Sequence, residues 1–295
     1  MKILKLSWIV ATLGNKNELE EIFISALNLS KEFDVKLQLI FCLPPKKKFY
    51  KKNIFKRENK NFEFLILNSS KKGQVLQRNF ALKYSSYETI LFTDDDIKVR
   101  PNEIYKLLKI KKSLPQNSVI GPKLIPYKKN LKPLYPDTML IDMGFSKKFI
   151  KWFLNINYLG MGEATDLGIG CSFYKIEKNI FPVGWLAGAF TMHTKENLFL
   201  SDLYHWDGKA YAEDFFHSVS LRSKNINYFY VKNIKYKCDL TFSNNISFFE
   251  KFKEFSLNFI RIYQVQNKLY KNRINIKLIL YFLLIGIYKL TSSKR

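Results

Sequence analysis

The stretch that most constrains this chain is Thr89-Ile90-Leu91-Phe92-Thr93-Asp94-Asp95-Asp96. A short apolar, β-branched run reads as a strand buried on both faces, and here it runs straight into three carboxylates. Side chains alternate along an extended chain, so Asp94 and Asp96 are expected to point one way and Asp95 the other. Carboxylates at the carboxyl end of a parallel strand stand where open α/β sheets bind ligands. Hard oxygen donors of this kind suit Mg²⁺ or Mn²⁺ that also touches phosphate oxygens. The competing reading is a solvated acidic turn partnered by Lys98 and Arg100. Acidic residues are scarce, 25 Asp and Glu against 49 Lys and Arg, so three falling together favours the ligand reading.

A buried strand needs neighbours, and the pattern around it supplies them. Residues 3–11 read as a first strand, Val35 to Cys42 as a second and Phe62 to Leu67 as a third. Between the first two, Leu19, Ile22, Phe23, Ala26 and Leu27 follow helical spacing, with Asn17 and Glu20 as a capping pair. Gln74 to Tyr84 reads as a helix, 88–93 as the organising strand, and Pro101 as the first turn of another helix, before a short strand at Val119-Ile120. This βαββαβα order, with short connections, predicts an α/β fold: a mostly parallel sheet flanked by helices on both faces. Later, Tyr211 to Lys224 reads as a helix whose start carries Glu213-Asp214, and Asn227 to Lys232 as a late strand.

Composition bounds the rest. The 295 residues, 47% hydrophobic, suffice for one large α/β domain and an appendage. A formal charge of +24 implies an anionic partner: nucleic acid, anionic lipid or a phosphorylated substrate. Cys42, Cys171 and Cys238 lie far apart with no paired motif, which argues for a reducing compartment and against a zinc site. The opening MKILKLSWIVATLG has an apolar run too short for a signal peptide and reads as a strand. Residues 126–180 lack sustained periodicity and read as long loops and short strands. From about Ser247 the chain turns basic and aromatic, and Leu278 to Tyr288 is apolar all round but shorter than the ~20 residues a spanning helix needs. Its flanking Lys277 and Lys289 suit a helix lying at a membrane surface. The expected division is a catalytic domain over residues 1–245 and a helical, membrane-surface tail over residues 246–295.

Three constellations follow one another in order: Lys72-Gly73-Gln74-Val75-Leu76-Gln77-Arg78-Asn79-Phe80-Ala81-Leu82, the triple aspartate, and Trp185-Leu186-Ala187-Gly188-Ala189-Phe190 followed by Ala212-Glu213-Asp214. At these separations they resemble family 2 glycosyltransferases of the GT-A, Rossmann-like fold, over about residues 3–245. The resemblance implies inverting transfer of a sugar from a nucleotide donor to an acceptor hydroxyl on a lipid-linked or surface-glycan precursor. It implies Mn²⁺ or Mg²⁺ held by Asp96 and Asp94, with nucleotide contacts from Asp94, Asp95, Arg78, Thr12 and Gly73. It places the base on Asp214, with Glu213 positioning the acceptor or the helix, and the sugar or acceptor near Trp185 and Gly188. The expected location is cytoplasmic, peripheral on the inner face of the cell membrane, with an anionic membrane surface as partner.

The match has departures. The family's acidic stretch after the second strand is replaced by Phe41-Cys42-Leu43-Pro44-Pro45, so the donor base is not named. Where some members carry a late histidine, this chain reads Lys235-Tyr236-Lys237-Cys238-Asp239. The Gln-x-x-Arg-Trp signature of processive synthases is absent near Gln264, which predicts addition of one or few sugars. Two other classes compete. Charge with interleaved aromatics, as in 46–60, suits a nucleic-acid binder, yet no such motif appears and no nucleic acid is expected as partner. A sugar nucleotidyltransferase would open with a Gly-rich phosphate loop, whereas Ala11-Thr12-Leu13-Gly14-Asn15-Lys16 has one glycine.

Overall fold

The computed structural model describes residues 3–14, 16–49, 53–56, 60–126, 178–198 and 213–238, with Ile276, Ile279, Leu280 and Leu283 of the tail. Contacts divide the chain into two units, residues 1–130 with 177–239 and residues 131–176 with 240–295. All eight strands described belong to the first.

In chain order they are β1 (Lys5–Ala11), β2 (Lys36–Leu43), β3 (Phe62–Asn68), β4 (Thr89–Thr93), β5 (Ser118–Pro126), β6 (Ile180–Val183), β7 (Phe190–Thr194) and β8 (Asn227–Cys238). The helices are α1 (Lys16–Phe33), α2 (Gln74–Leu82), α3 (Pro101–Ser113) and α4 (Glu213–Arg222). The strands form one sheet in the order β3-β2-β1-β4-β7-β5-β8-β6. β1 pairs in parallel with β2 and β4, β2 with β3, and β5 with β8. β7 runs antiparallel to β4 and β5, and β6 antiparallel to β8, so only β6 and β7 oppose the common direction.

Burial explains the arrangement. β1 and β2 are buried almost end to end, as expected of strands covered on both faces. Ile9, Ile40, Cys42, Ile90 and Phe92 cluster with Ala81 and Leu82 of α2. By alternation the other face carries Phe41 and Phe64, where Phe23 of α1 meets Phe64 edge-on at 5.0 Å. Phe49 and Phe55 of the basic segment join this cluster, Phe55 lying 5.7 Å from Phe64 and Phe49 6.1 Å from Phe41. Both are half-buried and pack on this aromatic cluster. α1 packs on α3, whose Ile104, Leu107 and Leu108 are buried.

Two local expectations change. α1 begins at Lys16, so Asn17 lies inside the first turn and does not cap it. β4 ends at Thr93, so the three aspartates lie in the turn beyond it and not in its pleat. Cys42 and Cys238 are buried, and burial pushes the Cys42 thiol up to about 12. Among the described residues no helix is long and apolar enough to cross a membrane. Most of Leu278–Tyr288, like Cys171, His205 and Asp239, lies outside the described residues.

Candidate functional site

The chain runs outward from β1 to β2 and β3, then crosses back to place β4 on the other side of β1. This reversal opens a crevice at the carboxyl ends of β1 and β4, where such sheets bind ligands. Thr12 follows β1 and Asp94-Asp95-Asp96 follow β4, so the topology brings them together. The Thr12 hydroxyl donates to Asp95 Oδ2 at 2.6 Å and accepts the Gly14 N–H at 2.8 Å. Burial raises the Asp95 carboxyl, the Thr12 hydrogen bond opposes that, and the charge of Asp94 adds to it. Thr12, assigned from the resemblance to the nucleotide, here orients Asp95.

Asp94 turns the other way. Its Oδ1 accepts from Arg78 Nη2 at 2.6 Å and from the Gln74 side-chain amide, while its N–H donates to Ala189 O at 3.0 Å. Both donors come from α2. Gly73 precedes this helix with φ of 146°, a conformation that favours glycine. The Gln77 amide then donates to Thr12 O at 3.0 Å and Cys42 O at 2.5 Å, pinning the helix to the ends of β1 and β2. The Arg78 side chain is only 7% exposed, and its guanidinium carbon lies 5.7 Å from the centre of the Phe92 ring. Arg78 is thus a buried cation and not an arginine on a solvated helix face.

The same guanidinium reaches across the crevice, Nη1 standing 3.5 Å from Glu213 Oε1 at the start of α4. The loop between β6 and β7 brings that helix close. Gly188 lies so near that a Cβ there would stand 2.7 Å from Glu213 Oε1 and 3.2 Å from Asp214 Cβ. Its N–H donates to Asp214 Oδ2 at 3.4 Å. Burial, with Asp214 and Asp94 adding and Arg78 opposing, pushes Glu213 up to about 8. That shift favours the protonated form of Glu213 near neutral pH. Behind the acidic pair is a cavity of about 40 Å³, lined by Arg78, Gly188, Glu213, Asp214 and His217 among others. That is room for water and not for a sugar. His217 and His193 lie 5.2 Å apart, ring centre to ring centre. Burial, with Arg78 adding, lowers His217 to about 4, and His193 is lowered well below its ordinary value by burial first and His217 second. Both stay neutral.

The structure therefore brings Thr12, Gly73, Arg78, Asp94, Asp95, Gly188, Glu213 and Asp214 into one neighbourhood, with half-buried Asp96 in the turn beside them. Trp185 is half-buried in the β6–β7 loop and does not line the cavity. Sequence reasoning missed Gln74 and Gln77, although both stand in the motif that carried Arg78. It also missed Glu18, in the first turn of α1, whose charge is felt at Asp95.

Among the described residues no three His, Cys, Asp or Glu side chains converge on a common metal position. Asp94 and Asp96 offer hard oxygens, and Arg78 and Gln74 already engage one oxygen of Asp94. Such a set fits a divalent ion that completes its shell with phosphate oxygens and water, as Mg²⁺ does, and not an all-protein cage.

A second cavity, of about 280 Å³, opens at the carboxyl ends of β1 and β2, lined by Gly14, Leu19, Glu20, Lys47, Lys48, Phe49 and Phe55. Gly14, at φ of 90°, admits the Lys47 side chain, which a Cβ would meet at 3.2 Å.

No curated protein matches the chain in sequence. Among solved structures, residues 1–349 of S. aureus TarS match with a TM-score of 0.51 at 12% identity, covering 90% of this chain and 70% of that one. The same fragment in complex with UDP matches with a TM-score of 0.50 at the same identity and coverage. At that identity the likeness is one of fold. A sequence model of the family described as Glycosyl transferase family 2 matches residues 7–179. This chain belongs to glycosyl transferase family 2 and is a nucleotide-sugar-dependent glycosyltransferase of the GT-A fold.

Proposed function

We propose that the enzyme transfers one sugar, with inversion, from a nucleotide-sugar donor to a hydroxyl of a surface-glycan or lipid-linked precursor. The observation that supports it is the Arg78 bridge, which holds the acidic turn after β4 and the acidic start of α4 on two sides of one crevice. The solved complex of TarS with UDP supports a uridine diphosphate donor for this fold.

On this reading Asp214 takes the proton of the acceptor hydroxyl as its oxygen attacks the anomeric carbon. The bond from that carbon to the diphosphate breaks, and the electron pair leaves with the diphosphate. Gly188 and the first turn of α4 orient Asp214, and protonated Glu213 does not compete with it as a base. Mn²⁺ or Mg²⁺ held by Asp96, with Asp94, would draw charge from the departing diphosphate. The nucleobase fits the cavity between Gly14, Phe49 and Phe55. There Glu20 offers the carboxylate that Phe41–Pro45 lacks, and Lys47 and Lys48 offer cations.

The test is thermal stability against UDP-, GDP-, dTDP- and CMP-sugars, with and without Mn²⁺. Selective binding to the native state adds about 2.7 kcal/mol of stability at a hundredfold excess over Kd and so raises the midpoint. A metal-dependent shift with UDP-sugars and not the others is expected. No shift with any of them counts against the donor site.

A further inference from the structure

Glycosyl transfer leaves the tail unused. From Phe255 to Arg295 the chain carries eight Lys and Arg and no Asp or Glu. Within that stretch Ile276, Ile279, Leu280 and Leu283 have helical backbone. Ile276, Leu280 and Leu283 stand at i, i+4 and i+7, which is one face of a helix. They are 69%, 46% and 56% exposed. Exposed apolar side chains gathered on one helical face mark a surface that meets a membrane or a protein.

Charge identifies the cover. Lys268, Lys271, Arg273 and Lys277 come just before or within the apolar run, and Lys289 just after it, with no acid among them. An occupant must therefore offer an apolar interior and anionic groups at its rim together. Tyr281 and Tyr288, amphipathic side chains suited to the level of lipid headgroups, fall in the same run. The run is too short to span a bilayer but long enough to lie in its interface. We propose that the face bearing Ile276, Leu280 and Leu283 docks on an anionic lipid bilayer, lying along the surface with its cations on the headgroups. This holds whatever sugar or acceptor the catalytic site takes.

The full-length protein would be co-sedimented with phosphatidylcholine vesicles, with and without phosphatidylglycerol, at low and high salt. Binding to the anionic vesicles, lost on neutral ones and weakened by salt, is expected. The triple variant Ile276→Ser/Leu280→Ser/Leu283→Ser should lower partitioning at least about tenfold. Lys271→Glu/Arg273→Glu should do likewise while leaving the apolar face intact. Asp214→Asn should leave partitioning unchanged, which separates this surface from the reaction. Equal binding to neutral and anionic vesicles, or no binding by the wild type, overturns the proposal. So does a triple variant that binds vesicles like the wild type but changes its sedimentation coefficient, which would make the face a contact between protein chains.

Discussion

At the scale of single residues, Glu213 and Asp214 differ in environment. They are neighbours at one helix start, yet burial raises Glu213 to about 8, whereas Asp214 meets the Gly188 N–H. Asp214→Asn should cut turnover by about 10²–10⁴ with donor affinity unchanged, as loss of a general base does. Glu213→Gln, which keeps the shape and the neutral state, should retain far more turnover. It should also change how stability depends on pH. A carboxyl raised from 4.5 to about 8 binds its proton more tightly in the native state. Its contribution is fully present below pH 4.5 and lost as pH rises through 8. Denaturant melts between pH 6.5 and 9 should show falling stability in the wild type and a flatter curve in Glu213→Gln, by on the order of a few kcal/mol. His217 has the opposite sign: lowered from 6.5 to about 4, it costs stability as pH falls across that window. A wild type whose stability does not fall above pH 6.5 would mean that Glu213 is ionised in the native state.

At the scale of elements, α2 is the connector. It supplies Gln74 and Arg78 to Asp94, and Gln77 to the last turns of the β1 and β2 strands. Gln77 is buried, and its two acceptors are main-chain carbonyls. Gln77→Ala takes the side-chain donor from Thr12 O, while Cys42 O keeps the Thr12 N–H at 3.1 Å, and should cost about 1–3 kcal/mol, the penalty of one buried polar group left without its partner. Because the same helix carries Arg78, donor affinity should fall with stability. Weakened stability with unchanged donor affinity, measured by melts and titration with UDP, would mean that α2 is not what positions the site. β7 is the other organising element. It enters antiparallel between β4 and β5, and the loop before it clasps the β4 end through Asp94 N–H to Ala189 O.

At the scale of the whole molecule, a charge of +24 repels itself. Raising salt shortens the Debye length from about 30 Å at 0.01 M to 8 Å at 0.15 M, which screens that repulsion. The melting temperature should therefore rise over that range, by scanning calorimetry without donor. A fall would mean that ion pairs such as Arg78 with Asp94 outweigh the excess charge.

The strand–aspartate boundary, the helical faces and the order of elements were legible in the sequence, because local alternation and helical spacing depend only on near neighbours. So were the residues that converge: Asp94 to Asp96, Glu213 and Asp214 stand at the ends of recognisable elements, and Arg78 stands within the helix that follows Gly73. What only the tertiary structure decided is how they pair. Arg78 meets two acidic side chains 16 and 135 residues away in the chain. Thr12 serves Asp95, and Glu213 is driven to hold its proton. Each of these depends on distances across the sheet and on burial, and neither quantity is written in any stretch of sequence short enough to read.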